Sequence, residues 1–184
     1  MNNFRKASMR DVPQLLTLIN GYASQGIMLP RTEFELAEGI RDFTVAANDD
    51  DQPVACAALH FYTPSAAEVR SLAVHPDLKG KGIGRELVQV IEHEAEEIGI
   101  SSLFAFTYVP GFFAQLGYDQ VDRGLLPQKA WKDCLRCPKF QNCDEIAVLK
   151  KINQPDTTSK SSTPSLTVLG LNSPLVQIPV LAKP

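Results

Sequence analysis

No run of about 18 consecutive apolar residues occurs in this chain, so no membrane-spanning helix is expected. Residues 1–10 lack the apolar stretch of a secretory signal. Four cysteines in 184 residues are too few to staple a disulfide scaffold, which points to a chain kept reduced inside the cell. Basic residues are not in excess either: 18 Lys and Arg stand against 21 Asp and Glu, a net charge of −3. A general nucleic-acid binder usually carries a basic surplus or stripe. No internal repeat is visible, which removes solenoids and propellers. These absences leave the expectation of a cytoplasmic protein with neither nucleic acid nor membrane as partner.

What is present is ordinary for a globular chain, with 44% hydrophobic and 21% charged residues. The length suits one domain with a core that needs no staples. The composition shifts after Ile152. Residues 153–165 read NQPDTTSKSSTPS, a polar Ser/Thr/Pro run expected to be a linker. The apolar stretch that follows is broken by Pro174, Pro179 and Pro184. The expected organisation is therefore a domain over 1–152 and a flexible tail over 153–184, with an arm packed on the domain or on a partner as the alternative.

Within the body, elements alternate. Residues 3–7 form a candidate strand. Residues 11–22 place Val12, Leu15, Leu16, Leu18 and Ile19 at helical spacing. Thr32 with Glu35 three residues on is a capping-box pattern for a helix to about Ile40. Strand candidates at 43–47 and 54–62 flank a polar turn at 48–53. A further strand, 68–74, carries Val69, Ser71 and Ala73 on one face and Glu68, Arg70, Leu72 and Val74 on the other. An amphipathic helix covers 82–98, then come a strand at 103–107, a short helix at 109–116 and a last strand at 144–152. Hairpins come early and strand–helix units late, so the expected class is α+β with a mixed, mostly antiparallel sheet flanked by helices.

The most informative stretch joins the 68–74 strand to the 82–98 helix: V-H-P-D-L-K-G-K-G-I-G-R-E. Gly80, Gly82 and Gly84 leave successive backbone N–H groups uncovered, and a helix N-terminus follows at once. Lys79, Lys81 and Arg85 add positive charge. Together these make a phosphate site. The spacing is neither that of a P-loop nor the Rossmann fingerprint.

Lys79-Gly80-Lys81-Gly82-Ile83-Gly84 resembles the pyrophosphate motif of the GNAT superfamily of N-acetyltransferases, Gln/Arg-x-x-Gly-x-Gly/Ala, with Lys79 at the Gln/Arg position. Phe112-Phe113-Ala114-Gln115-Leu116-Gly117-Tyr118 is similar to that family's later aromatic-x-x-x-Gly-aromatic segment. Gly26-Ile27-Met28-Leu29-Pro30-Arg31-Thr32 and Ala67-Glu68-Val69-Arg70-Ser71-Leu72-Ala73-Val74-His75-Pro76 are similar to segments of its N-acetylglutamate synthase branch. The resemblance implies a sheet with a splayed strand pair that binds acetyl-CoA, and transfer of the acetyl group to the α-amine of L-glutamate, the first step of arginine biosynthesis. It implies acetyl-CoA as co-substrate, no metal, and a dimer as a frequent family state. The branch's long form carries a kinase-like domain for which 184 residues leave no room, so regulation by arginine is not implied.

Residue by residue, the resemblance places Glu68 as the base that takes the amine proton, directly or through water. Main-chain N–H groups at Leu72, Ala73 and Val74 would stabilise the thioester oxygen and pair with the pantetheine arm. Lys79, Gly80, Lys81, Gly82, Ile83, Gly84 and Arg85 would hold the phosphates, with Phe113 beside them. Many family members protonate the leaving thiolate with a tyrosine. Phe113 stands at that place and cannot donate, so Thr107 and Tyr108 are the nearest alternatives, with Tyr118 behind them.

A dicarboxylate acceptor needs fixed cations. Arg31 and Arg70 are the candidates, since a guanidinium grips a carboxylate with two hydrogen bonds; Lys129 and Lys139 are weaker ones. His60, His75 and His93 are scattered and are assigned no catalytic task. Cys134, Cys137 and Cys143 have C-x₂-C-x₅-C spacing, which is compatible with a metal if a fourth ligand such as Cys56 or Asp144 joins them, with a redox pair, or with unligated thiols. Three readings remain open: the glutamate acetyltransferase, a related enzyme acting on another small amine or a protein N-terminus, and a non-catalytic acetyl-CoA-binding module.

Overall fold

The computed structural model describes residues 3–126, 134–135 and 137–152. The 153–184 tail and Lys129 lie outside the described residues. In chain order the elements are β1 (Asn3–Lys6), α1 (Val12–Ala23), α2 (Glu33–Glu38), β2 (Phe43–Ala47), β3 (Pro53–Thr63), β4 (Ala66–Val74), α3 (Ile83–Ile98), β5 (Ser102–Thr107), α4 (Pro110–Ala114), β6 (Asp119–Gln120) and β7 (Ile146–Lys151). The strands form one sheet in the order β1-β2-β3-β4-β5-β7-β6. The β4–β5 pair is parallel and is bridged by α3; the other neighbours are antiparallel. This is the mixed, mostly antiparallel α+β sheet expected from the sequence. The two-residue strand β6 is too short to leave a periodic signal.

Helices cover both faces. α3 buries Leu87, Val88, Ile91 and Ala95, one stripe of a 3.6-residue period, on Ala55, Ala57, Leu59, Ala67 and Val69 of β3 and β4. On the opposite face, Leu15, Ile19 and Leu36 from α1 and α2 pack on Val45, Cys56, Ala58 and Ala73. Small side chains on both faces of β3 let the helices come close. α2 starts as its capping box requires: the Glu35 N–H donates to Thr32 Oγ1 at 3.2 Å, and the Thr32 N–H to Glu35 Oε2 at 2.8 Å. At the sheet edge, Arg5 grips Asp11 at 2.8 Å, beneath the first turn of α1. That guanidinium holds the Asp11 carboxyl down at about 2.

Two features of β4 create the site. Its pairing with β5 ends at Glu68↔Phe104, although both strands run on. Beyond Glu68, among the described residues, no strand pairs with that edge of β4, and the two strands splay. The second feature is a bulge. Ala58 pairs with Arg70 and Cys56 with Ala73, so Ser71 and Leu72 together oppose Ala57. Ser71 takes φ +53°, and Cys56 Sγ lies 3.6 Å from its carbonyl. The extra residue reverses the alternation. Val69, Leu72 and Val74 belong to the α3 face and Ala73 to the α1 face, which corrects the simple period-2 assignment of Val69, Ser71 and Ala73 to one side.

Candidate functional site

A cavity of about 930 Å³ opens where β4 and β5 diverge, and the glycine turn lies at its rim. Gly80 and Gly82 take φ +75° and +86°, the left-handed region that side chains resist. Nothing lies within 4 Å of a Cβ placed on Gly80, and on Gly82 only the Glu86 carboxylate tip, at 3.8 Å. Gly84 is different: a Cβ there would meet Val74 at 3.4 Å and Phe112 at 3.8 Å. The turn thus presents open backbone amides at the N-terminus of a sixteen-residue helix, which fits a diphosphate. Lys79, Gly80, Gly82, Ile83, Gly84 and Arg85 all line the cavity, whereas Lys81 is exposed and is not part of the lining. Lys79 Nζ sits 4.5 Å over the Tyr22 ring, and Arg85 donates to Gln115 Oε1 at 2.6 Å. Phe113 is buried at the junction, its ring edge-on to Phe112 and to Tyr118.

The β4 edge supplies Glu68, Arg70, Leu72 and Val74 to the same cavity; the Ala73 side chain is buried on the other face. The Val74 carbonyl accepts a hydrogen bond from Tyr22 at 2.5 Å, which anchors the splayed strand end to α1. Glu68 is only 8% exposed, and Tyr62 donates to its Oε2 at 2.9 Å. Arg31 reaches the cavity from the loop after α1. That loop is pinned by Asn20, whose side chain donates to the Arg31 carbonyl and accepts from its N–H, both at 2.9 Å.

Two expected acid candidates stand on the opposite wall with different partners. Thr107 is buried, and its Oγ1 accepts from the Val109 N–H at 3.0 Å, which fixes the entry to α4. Tyr108 donates to Asp144 Oδ1 at 2.9 Å, and Lys139 donates to the Tyr108 oxygen at 3.2 Å and to Asp144 at 3.0 Å. Burial, and after it the neighbouring carboxylates, raise the Tyr108 phenol, while Asp144 pushes the Lys139 ammonium up to about 12. Lys139 is therefore engaged at the rim with Asp144. Tyr118 lies in the core cluster and away from the cavity lining, its phenol raised by burial.

Cys134, Cys137 and Cys143 form no disulfide and all line the cavity, whereas Cys56 is buried in the core. Among the described residues, no group of three or more His, Cys, Asp or Glu is placed to hold a metal ion. Burial raises the Cys134 thiol to about 11, so it is protonated at neutral pH. The histidines are dispersed: His60 contacts Asp42 at 2.6 Å, His75 contacts Asp77 at 3.8 Å and His93 contacts Glu97 at 3.4 Å. Tyr22, Tyr62 and Glu145 had no advance signal. A tyrosine in an apolar stripe reads as core, and only the register of β3 and β4 reveals where its hydroxyl goes.

An open sheet parted at one strand pair, with a glycine turn and a helix N-terminus at the parting, defines an acyl-CoA-type acetyltransferase. Residues 14–118 match the acetyltransferase (GNAT) family profile, and the chain belongs to that family. It is an enzyme of the acyltransferase class, which sets aside the non-catalytic reading. An uncharacterized N-acetyltransferase of Chlorobaculum tepidum is 43% identical over 148 residues, covering 80% of this chain and 95% of that protein. An amino-acid acetyltransferase of Mycobacterium tuberculosis is 32% identical over 120 residues, 64% of this chain and 68% of that protein. In structure, N-acetylglutamate synthase from Neisseria gonorrhoeae, complexed with coenzyme A and N-acetyl-glutamate, superposes with a TM-score of 0.76 at 28% identity. The match covers 84% of this chain but 36% of that one, so this chain spans about a third of that synthase. No helix among the described residues is long and apolar enough to cross a membrane.

Proposed function

We propose that this chain is a cytoplasmic N-acetylglutamate synthase, moving acetyl from acetyl-CoA to the α-amine of L-glutamate in a ternary complex, the first step of arginine biosynthesis. The observation that carries this reading is that Glu68, Arg31 and Arg70 line one cavity together with the glycine turn. Amino-acid acetyltransferases among the relatives and a neighbour solved with N-acetyl-glutamate support the choice of acceptor.

The turn at Lys79, Gly80 and Gly82 holds the CoA diphosphate through main-chain amides. The unpaired edge of β4 from Leu72 to Val74 offers its amides to the pantetheine arm and to the thioester oxygen, where one fixed donor is typically worth about 10²–10³ in rate. Arg31 and Arg70 take the two acceptor carboxylates, each able to form paired hydrogen bonds. Glutamate arrives as an ammonium ion, and Glu68, buried and held by Tyr62, removes a proton so that the nitrogen lone pair attacks the thioester carbon. The C–S bond breaks, the electron pair leaves on sulfur, and the second proton on the new amide nitrogen passes to that sulfur, giving the CoA thiol and a neutral amide. A thiolate of ordinary pKa, about 8.5, departs without a strong acid. Tyr108, its single phenol O–H turned away from Asp144, donates a hydrogen bond to it.

The test is acetyl-CoA-dependent thiol release against the twenty common amino acids. Release with glutamate alone, lost in Arg31→Ala, supports the reading. Inert glutamate beside an active second amine overturns it.

A further inference from the structure

We propose that Tyr62 is a positioning residue for acetyl transfer, whose phenol orients the Glu68 carboxylate and sets its basicity. The proposal rests on the reading of Glu68 as the base. Phe61 pairs with Ala67 and Thr63 with Ala66, so Tyr62 is the extra residue of a second bulge, on β3. A bulge re-aims a side chain, and here Tyr62 Oη donates to Glu68 Oε2 at 2.9 Å. The ring is clamped. Phe104 lies 5.5 Å away on one side. His60, in register with Glu68, meets the ring edge-on at 5.0 Å, and its Nδ1 is itself held 2.6 Å from Asp42 Oδ2. The surrounding cluster of Phe104, Phe106, Leu126 and Leu149 is apolar. Packing alone is therefore satisfied by phenylalanine, and what the tyrosine adds is the hydroxyl on Glu68.

A hydrogen bond to a carboxylate favours its charged form and lowers its pKa. It also fixes the plane of the carboxyl, so that the proton is removed in one geometry. Among the described residues, the titratable and charged groups that share the register or the cavity of Glu68 include His60 and Tyr62 from β3, Arg70 from its own strand, Arg31 after α1, and Arg123, Cys134, Lys139 and Glu145 on the far wall. All but Tyr62 persist when position 62 becomes phenylalanine, so a change in the acidic limb reports the lost hydrogen bond.

The experiment is the pH profile of kcat/KM for glutamate at saturating acetyl-CoA in Tyr62→Phe. The acidic limb is expected to move up by about one unit, with kcat lowered and KM for acetyl-CoA unchanged. Should Tyr62→Phe not fold, 3-fluorotyrosine at position 62, a stronger donor of nearly the same shape, is expected to move the limb down. An unshifted limb in the folded variants overturns the proposal. Glu68→Gln separates the two ideas: loss of about 10²-fold or more in rate there, beside an unshifted limb in Tyr62→Phe, sinks the positioning role alone. Full activity in Glu68→Gln removes the base and the proposal with it.

Discussion

Tyr22, in the last turn of α1, donates to the carbonyl of Val74 at 2.5 Å. The same ring carries the Lys79 ammonium 4.5 Å above it. One side chain thus ties together the end of the splayed strand and the start of the glycine turn. Tyr22→Phe keeps the ring and its cation contact but releases the strand end. Affinity for acetyl-CoA is expected to fall by up to about tenfold as the strand end loosens, and the melting temperature to drop by a few degrees, since an intramolecular hydrogen bond worth about 1 kcal/mol is lost from the fold. Titration calorimetry with CoA measures it.

The glycines of the turn differ in what they tolerate. Gly82 sits at φ +86°, where a Cβ costs about 1–2 kcal/mol. Gly84 is helical, and a Cβ there makes ordinary contact with Val74 and Phe112. Gly82→Ala is therefore expected to lose about tenfold or more in CoA affinity, as well as stability. Gly84→Ala is expected to stay near wild type in both. Thermal denaturation and CoA titration of the two variants check the contrast.

In the proposed reading Arg31 and Arg70 act on the acceptor and not on the donor. Replacing either with alanine is expected to raise KM for glutamate about 10- to 100-fold, as loss of a charge-assisted pair implies, with KM for acetyl-CoA within about twofold. Lysine at either position restores only part, since it lacks the planar fork. Initial rates at fixed acetyl-CoA read this out.

Acid stability depends on the Arg5–Asp11 pair. The Asp11 carboxyl is lowered to about 2 from 3.8, chiefly by its hydrogen bonds to Arg5. A depressed carboxylate stabilises the fold fully above its unfolded value near 4, and the contribution is lost as pH falls toward 2. At neutral pH it is worth about 2 kcal/mol. Asp11→Asn is expected to lower stability at pH 7 by about that amount and to flatten the fall between pH 4 and 2, measured by urea unfolding.

Much of this is legible in the chain. Thr32 and Glu35 announce their cap because both partners lie within one turn. Gly80 and Gly82 announce the phosphate turn because a required left-handed backbone explains them, whereas Gly84, which reads alike in the chain, is helical with room for a Cβ. What depends on contacts distant in sequence is not legible. The bulge at Ser71 and Leu72 leaves the apolar alternation of 66–74 looking regular, so the face of Ala73 is misread until the register with Cys56 is known. Tyr22 and Tyr62 read as core aromatics because their rings are core; only their hydroxyls reach Val74 and Glu68. The wall built by Cys134, Lys139 and Glu145 comes from turns, where no periodicity ties the residues to β4.

Initial rates on a matrix of acetyl-CoA and glutamate concentrations test the single cavity most directly. If both substrates occupy it together, double-reciprocal plots intersect and the mass of the product equals glutamate plus one acetyl group. Parallel lines, or thiol release that ignores glutamate, contradict direct transfer between substrates seated at the glycine turn and at Arg31 and Arg70.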